Sequence, residues 1–417
     1  MGGIFAFSKG SEMRLSRCII FLVFTLSACS IANGQFVTTQ GKQIVTSDGK
    51  ALILKGIGLG NWLLPEGYMF KFKSANSPRL INTVISQLIG EDEARRFWKT
   101  HLDNYITRDD IHFIKQSGFN SVRVPFNFRL FVAADDPQKL EGPGYDLLDR
   151  VVGWCKQDGL YVILDMHAAP GGQTGDNIDD SWGYPFFFES NESQELTVKI
   201  WTKIATQFRN EPTVIGYDLL NEPIAHYFDA DYFNSKLEPV YRKIVTGIRK
   251  VDPNHLIFLG GAQWNNNFKV FGPPFDSKLV YTFHKYWMDV NQQAIQEYLD
   301  FRDKYNVPLW MGESGENTDE WVAAYRSILE RNGIGWCFWP YKKIDATSSP
   351  VSVNRPTEWD AIVTFADHPR TTFEEVRKNR PPKEKIKTAL DGYLENIKLK
   401  NCRINPGYLK ALGLQKQ

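Results

Sequence analysis

Cysteine is scarce in this 417-residue chain, and two of the five lie near the start, at Cys18 and Cys29. The other three, Cys155, Cys337 and Cys402, are odd in number and far apart, which excludes a disulfide framework and a zinc-binding pattern. Cys155 and Cys337 sit in apolar runs, as buried free thiols do. Charge of one sign is missing too: 49 basic against 48 acidic residues leave +1, with no basic stripe, so no nucleic-acid partner is expected. No Gly-x-Ser-x-Gly occurs, which argues against a serine hydrolase of the α/β type. No glycine-rich phosphate turn follows the first strand, which argues against a doubly wound nucleotide-binding sheet. Internal repeats and low-complexity tracts are absent as well. Histidines number only seven, and none stands at ligand spacing with a carboxylate, so neither a catalytic metal nor a cofactor is expected.

Among what is present, the start of the chain reads as an export leader. Met13-Arg14-Leu15-Ser16-Arg17 is a basic segment, and Cys18 to Ala28 is an apolar stretch too short to span a bilayer. Leu26-Ser27-Ala28-Cys29 resembles a lipobox that would leave Cys29 lipidated, whereas Ala32-Asn33-Gly34 is a small-x-small site for ordinary signal peptidase. Both remain open. Residues 1–34 are therefore assigned to targeting and 35–417 to one catalytic domain, located outside the cytoplasm: secreted, periplasmic or anchored in an outer membrane through Cys29. A membrane contact is expected only through that lipid, and a monomer is expected. Asn191-Glu192-Ser193 is a glycosylation sequon, relevant only in a eukaryotic host.

The stretch VIGYDLLNEP, Val214 to Pro223, organises the rest. Its apolar opening suits a strand buried on both faces, and Pro223 would end the ladder. Asn221 and Glu222 then stand at the mouth of a buried strand, where desolvation raises a carboxyl pKa toward that of a general acid. Similar runs recur: ILKGIGLGNW, SVRVPF (121–126), YVILDMH (161–167), HLIFLGG (255–261), LVYTFHKY (279–286), PLWMGES (308–314) and GWCFWPY (335–341). Amphipathic segments at 109–117, 145–157, 192–209, 231–251, 294–304 and 320–332 separate the later ones, several closing on glycine or asparagine. About eight buried strands alternating with helices predict a (β/α)8 TIM barrel. A hairpin over 43–52 turning at Asp48-Gly49 precedes it, Ala346 to Val353 reads as a loop, and 371–397 adds a helical region broken at Pro381-Pro382.

In such a barrel, chemistry gathers at the C-terminal ends of the strands. The residues there are Asn61 and Trp62, Arg123, His167, Asn221 and Glu222, Trp264 and Asn265, His284 and Tyr286, Glu313, and Trp339. Taken singly, each has a plain structural explanation. Two isolated glutamates and two of seven histidines arriving together at strand mouths do not. Two carboxylates across one cleft are what glycoside hydrolysis needs, one protonating the leaving oxygen and the other attacking the anomeric carbon or activating water. Glu222 fits the acid and Glu313 the nucleophile, with Arg123 holding Glu313 ionised and Tyr286 orienting it. Asn221 suits a sugar 2-hydroxyl, His167 and His284 suit hydroxyls or carboxylates, and Trp339 offers an aromatic floor. Aromatics make up 14 % of the chain, including 12 Trp and 17 Tyr. Most must be core, but tryptophans beside polar loops also suit stacking on sugar rings.

These residues resemble glycoside hydrolase family 5, carried by Arg123 in SVRVPF, His167 in DMHAAPGGQ, Asn221 and Glu222 in NEP, His284 and Tyr286 in FHKYW, Glu313 in GES and Trp339 in CFWPY. The resemblance spans roughly Gly41 to Tyr341. It implies a retaining mechanism with the acid/base on the fourth barrel strand and the nucleophile on the seventh. Two stretches are similar to the exo-β-1,3-glucanase branch: GLGNWLLPEGYM, which would make Glu66 a hydroxyl ligand of the terminal sugar, and HAAPGGQTG from His167. Asn61 stands where that branch has glycine, and Pro65 and Gly67 change the residues flanking Glu66. The resemblance thus implies a retaining β-glycosidase acting on a β-glucan, an exo-β-1,3-glucanase, with an oligo- or polysaccharide as partner. An endo-acting β-1,4-glucanase or mannanase, a diglycosidase or glycosylceramide hydrolase of the same family, and a non-catalytic glycan-binding lipoprotein are the alternatives.

Overall fold

Eight parallel strands close on themselves in this computed structural model, which describes residues 36–414. The targeting segment 1–34, with Cys29, lies outside the described residues. A small hairpin, β1 (Thr38–Gln40) and β2 (Gln43–Val45), comes first. The barrel then runs through β3 (Lys55–Gly58), β4 (Ser121–Asn127), β5 (Tyr161–Ala168), β6 (Val214–Asp218), β7 (Leu256–Gly260), β8 (Leu279–His284), β9 (Leu309–Gly315) and β10 (Gly335–Trp339), with β10 pairing back onto β3. Helices such as 144–158, 191–208, 230–249, 293–305 and 319–331 fill the connections. The fold is the (β/α)8 barrel that the strand–helix alternation predicts.

Alternation along each strand explains how the barrel carries a site. Val122, Val124 and Phe126 of β4 pack outward into the large core under the helices. A second, inner cluster holds Ile163, Ile215, Phe258, Val280, Trp310 and Cys337. Moving two or four residues toward the C-terminal end from these inner positions gives Asp165 and His167 on β5, Thr282 and His284 on β8, and Trp339 on β10. The interior is therefore apolar at its base and polar at its mouth. Val37 and Ile44, flanking and within the hairpin, join the inner cluster, so the hairpin plugs the base.

Helix ends follow their local chemistry. Ser77 accepts a hydrogen bond from the Leu80 N–H with Pro78 at the first position, and Thr318 accepts one from the Trp321 N–H. The helices at 78–89 and 91–104 were not anticipated.

Several local expectations are refined or corrected. The chain reverses twice before the barrel: β1 and β2 turn at Gly41, and the expected turn at Asp48-Gly49 follows, where Val45 bridges Ala51 and the Leu52 N–H donates to the Ile44 carbonyl at 2.8 Å. β6 ends at Asp218, so Pro223 is not what stops the ladder: NEP lies in the loop beyond. Ala346 to Val353 is not all loop. Val351–Val353 forms β12 between β11 (Lys342–Ile344) and β13 (Arg403–Ile404), and the distant partner Arg403 leaves no local trace in the sequence. The break at Pro381-Pro382 separates helices 373–379 and 383–396 as expected.

Candidate active site

Arg123 is the hub. It is fully buried on β4, and its guanidinium reaches four side chains: Nη1 donates to Glu313 Oε2 at 2.7 Å, Nη2 to Asn221 Oδ1 at 2.8 Å, and Nε to Asp218 Oδ2 at 2.9 Å, with Asp165 Oδ2 3.1 Å from Nη2. A planar fork of donors is the one side chain that can tie four strand ends together in this way. Burial works against the charge of Arg123, but Asp165, Asp218 and Glu313 outweigh it and push its pKa up. Burial also raises Asp165 and Asp218 to about 7, with Arg123 opposing. Sequence reading missed both aspartates; the available signal was an acidic residue inside an otherwise apolar strand.

The two glutamates face one another. Glu222 and Glu313 each present an oxygen within 4.8 Å of the other. Tyr286 Oη donates to Glu313 Oε1 at 2.8 Å, so both oxygens of Glu313 accept hydrogen bonds. The setting of Glu222 differs. Burial, then the neighbouring charge of Glu313, push its pKa well above the ordinary carboxyl range, against the pull of Arg123. Its backbone has φ 46°, a left-handed conformation costly for a side chain with a Cβ.

Histidines set the orientation. Asn265 Nδ2 donates to His284 Nε2 at 3.1 Å, which places the ring proton on Nδ1, and Nδ1 donates to Glu222 Oε1 at 2.8 Å. Asn221 Nδ2 donates to His167 Nε2 at 3.2 Å, and His167 Nδ1 donates to Asp165 at 2.8 Å. Burial lowers the pKa of His167 to about 3 and that of His284 well below its usual value, so both rings are neutral. A β-bulge between Phe283 and His284 turns the histidine opposite Glu313. Asn265, expected to touch substrate, is fully buried behind His284 and supports that ring instead. Three successive left-handed residues, Gln263, Trp264 and Asn265, produce this arrangement, sending Asn265 inward while Trp264 faces the cleft.

The cleft above has a volume of about 720 Å³ and is lined by both glutamates, Glu66, Tyr286, Trp264 and Trp339, among others. Trp339 stacks on His167 with centroids 5.4 Å apart, and its Nε1 donates to Tyr68 Oη at 2.9 Å. A Cβ on Gly58 or Gly60 would come within 2.5 Å of the Trp339 ring, so these glycines admit the tryptophan. Asn61 has φ 65°, the conformation a glycine would supply, and its Oδ1 accepts the Glu66 N–H at 3.1 Å. Glu66 Oε1 is buried without a hydrogen-bond partner, and burial followed by Glu313 and Glu316 pushes its pKa well up. Glu316, Tyr68, His226 and Trp287 also line the cleft and were not anticipated; Tyr68 lies in a short 3-10 helix (Gly67–Phe70) and the others on loops, none with a strand signal. Arg123, His167, Asn221 and Asn265 form the layer beneath.

Among the described residues, Glu222, His284 and Glu313 are also the one trio whose donor atoms approach closely enough to hold an ion. Those atoms already bond one another or Arg123, and a cation would meet the guanidinium 2.7 Å from Glu313. The trio does not fit a metal.

A closed barrel with paired carboxylates at the ends of its fourth and seventh strands defines a class, the barrel glycoside hydrolases. Residues 86–344 match the family described as cellulase (glycosyl hydrolase family 5), and the chain belongs to that family. It is 28 % identical over 361 residues to a β-xylosidase from Phanerodontia chrysosporium, covering 78 % of this chain and 74 % of the relative. Endoglucanase C of Acetivibrio thermocellus is 27 % identical over 311 residues, covering 60 % and 88 %. A probable glucan 1,3-β-glucosidase A of Aspergillus clavatus is 27 % identical over 221 residues, covering 51 % and 52 %. An endogalactoceramidase structure shares the fold, with TM-score 0.59 and 17 % identity over 90 % of this chain and 84 % of that one. The chain is a glycoside hydrolase.

Proposed function

We propose that the chain is a retaining β-glycosidase, with Glu313 as nucleophile and Glu222 as acid/base, that removes sugars from the end of a β-1,3-glucan. The observation that carries the mechanism is the approach of the two carboxylates to within 4.8 Å. Retaining enzymes hold their carboxyl groups about 5–5.5 Å apart, whereas inverting enzymes leave room for a water at about 6.5–9.5 Å. The hydrogen bonds divide the labour. His284 donates to Oε1 of Glu222, so the acid's own proton belongs on Oε2. Glu313, held by Arg123 and Tyr286, attacks the anomeric carbon while that proton passes to the leaving oxygen. A glycosyl ester on Glu313 results. Glu222, now a carboxylate, takes a proton from water, which displaces Glu313 from the same carbon with net retention.

Chain-end action is supported by Glu66, whose unpartnered Oε1 suits a hydroxyl of a terminal sugar, and by Tyr68 and Trp339 beside it. The β-1,3-glucan substrate is supported by the glucan 1,3-β-glucosidase relative and the GLGNWLLPEGYM segment. An endo-acting reading draws on the endoglucanase relative, most of whose length the chain spans. An early-time digest of linear β-1,3-, β-1,4- and β-1,6-glucans and mannan decides between them. Glucose alone from the β-1,3 polymer, released as the β anomer, is the expected result; a ladder of oligosaccharides overturns chain-end action. The enzyme works outside the cytoplasm, a reading supported by the leader pattern in residues 13–28. Intact mass of the mature protein distinguishes a lipidated Cys29 from cleavage after Gly34.

A further inference from the structure

The cleft has two unlike sides. Glu66 and Tyr68 follow β3, Glu316 follows β9 and Trp339 ends β10; these strands are neighbours in the barrel. Across the ring, β5, β6 and β7 are also neighbours, and the loops after them carry aromatic rings. Trp264, after β7, lines the cleft and donates through Nε1 to His226 Nδ1 at 3.0 Å. Its ring lies 6.4 Å from Tyr227, which lies 4.9 Å from Phe228. Phe228 is 5.7 Å from Tyr184, and Tyr184 is 4.8 Å from Phe186. A run of rings thus leads out of the cleft, exposed at Tyr227 and Phe186 and partly buried against the core at Phe228 and Tyr184. Tyr227 is 54 % exposed and Phe186 45 %, far more than rings recruited only to a core.

We infer that this run is a binding track for the leaving-group portion of a long β-linked glycan. Its position assigns the side: His226 and Tyr227 sit in the loop that carries Glu222, and the acid stands on the side from which the leaving group departs. Its chemistry assigns the ligand. Pyranose rings present C–H faces that pack on aromatic faces while their hydroxyls seek acceptors at the edges. Carboxylates stand at those edges: Asp176 accepts from Tyr227 Oη, and Glu189 Oε1 accepts from Tyr184 Oη at 3.1 Å. An alkyl chain would gain nothing from those acids and would desolvate them. The track deepens the chain-end reading and rests on it: one sugar lies on the Glu66 side, and the remainder of a polymer lies along the rings.

Two measurements on the full chain test this. The first is kcat/KM on an aryl β-glucoside and on β-glucan oligosaccharides from disaccharide to heptasaccharide, for the wild type and Phe186→Ala and Tyr227→Ala. The wild type should gain with length by roughly 10-fold for each ring engaged, through KM, and the long-to-short ratio should fall toward one in the variants. A flat length dependence, or variants that keep the gain, overturns the track. A gain confined to long alkyl glucosides would make it a lipid surface and overturn it equally. The second is electrophoresis through gels containing β-glucan, mannan or xylan, which reads binding without turnover. Retardation by one polymer that weakens in Phe186→Ala supports the track even where the β-1,3-glucan substrate proves wrong; no retardation by any polymer, without a length gain, overturns it.

Discussion

His284 Nδ1 lies 2.8 Å from Glu222 Oε1, and the direction of that hydrogen bond is decided on the far side of the ring by Asn265 Nδ2 at 3.1 Å. An amide that donates to Nε2 leaves Nδ1 as the donor. Asn265→Asp, nearly isosteric, accepts from Nε2 instead and stabilises a doubly protonated ring beside Glu222. The expected result is a fall in kcat of about 10²-fold or more, as tautomer and alignment errors cause elsewhere. The alkaline limb of kcat/KM should move to lower pH, because an imidazolium favours ionised Glu222. A pH–rate profile checks this; an unmoved limb would show that Asn265 only packs.

Removing each carboxyl separates the two proposed roles. Glu313→Gln should lose on the order of 10⁴-fold in kcat on every substrate, since no covalent step remains. Glu222→Gln should lose roughly 10²- to 10⁴-fold on glycosides with poor leaving groups. With a dinitrophenyl leaving group, which departs unprotonated, its first step should be largely restored and a burst of released phenol should appear. Equal losses on both substrate types would sink the assignment.

Activity should also vanish on the alkaline side in one specific way. The pKa of Glu222 is raised by burial and by Glu313, so the acid is protonated below that value and loses its proton as pH rises through it. Glu313→Gln removes the second cause. The alkaline titration of Glu222 should then shift to lower pH, measurable by carboxyl infrared bands or carbon NMR of the variant. A shift upward contradicts the like-charge argument.

Arg123 holds strand ends as well as chemistry. Arg123→Met leaves Asp165 and Asp218, both fully buried, without their cation. Breaking such a cluster costs about 3–5 kcal/mol. Chemical denaturation should show that loss, partly recovered by adding Asp165→Asn and Asp218→Asn. No recovery would mean that the arginine contributes by packing alone.

His101, behind Asn61 and outside the cleft lining, supplies a test of folding. It is buried; Nε2 donates to the Asn61 carbonyl at 2.9 Å and Tyr393 Oη donates to Nδ1 at 3.1 Å. Burial lowers its pKa to about 4. Between the unfolded value near 6.5 and that value, the unfolded chain binds the proton and the native one does not, so stability falls as pH falls. Against His101→Gln, which does not titrate, the wild type should lose about 1 kcal/mol for each pH unit below 6.5, levelling near pH 4. Parallel pH dependences in the two proteins would refute the burial argument.

The legible part of the site consists of residues that stand at strand mouths in a chain whose strands are apolar. Glu222, Glu313, His284 and Trp339 were visible because each interrupts or follows a hydrophobic run at the end that a barrel turns toward its site. Asp165 and Asp218 were visible as letters and invisible as participants: an acidic residue within a strand reads as a break until Arg123 is seen beside it. Glu316, Trp287 and the rings from Tyr184 to Tyr227 lie on loops, where local pattern carries no information about direction.

What the sequence by itself determined is therefore periodic: the alternation of strand and helix, the side of each strand that faces inward, and the polar residues at its end. Backbone geometry enforces those relations within a few residues, so a local reading recovers them. What only the tertiary structure decided is relational. The separation of the carboxylates, the proton on Nδ1 of His284, the retreat of Asn265 behind it and the pairing of β12 with β13 each depend on atoms brought together across tens or hundreds of residues. Closure of the barrel sets those distances, and burial within it sets the energies of the charges.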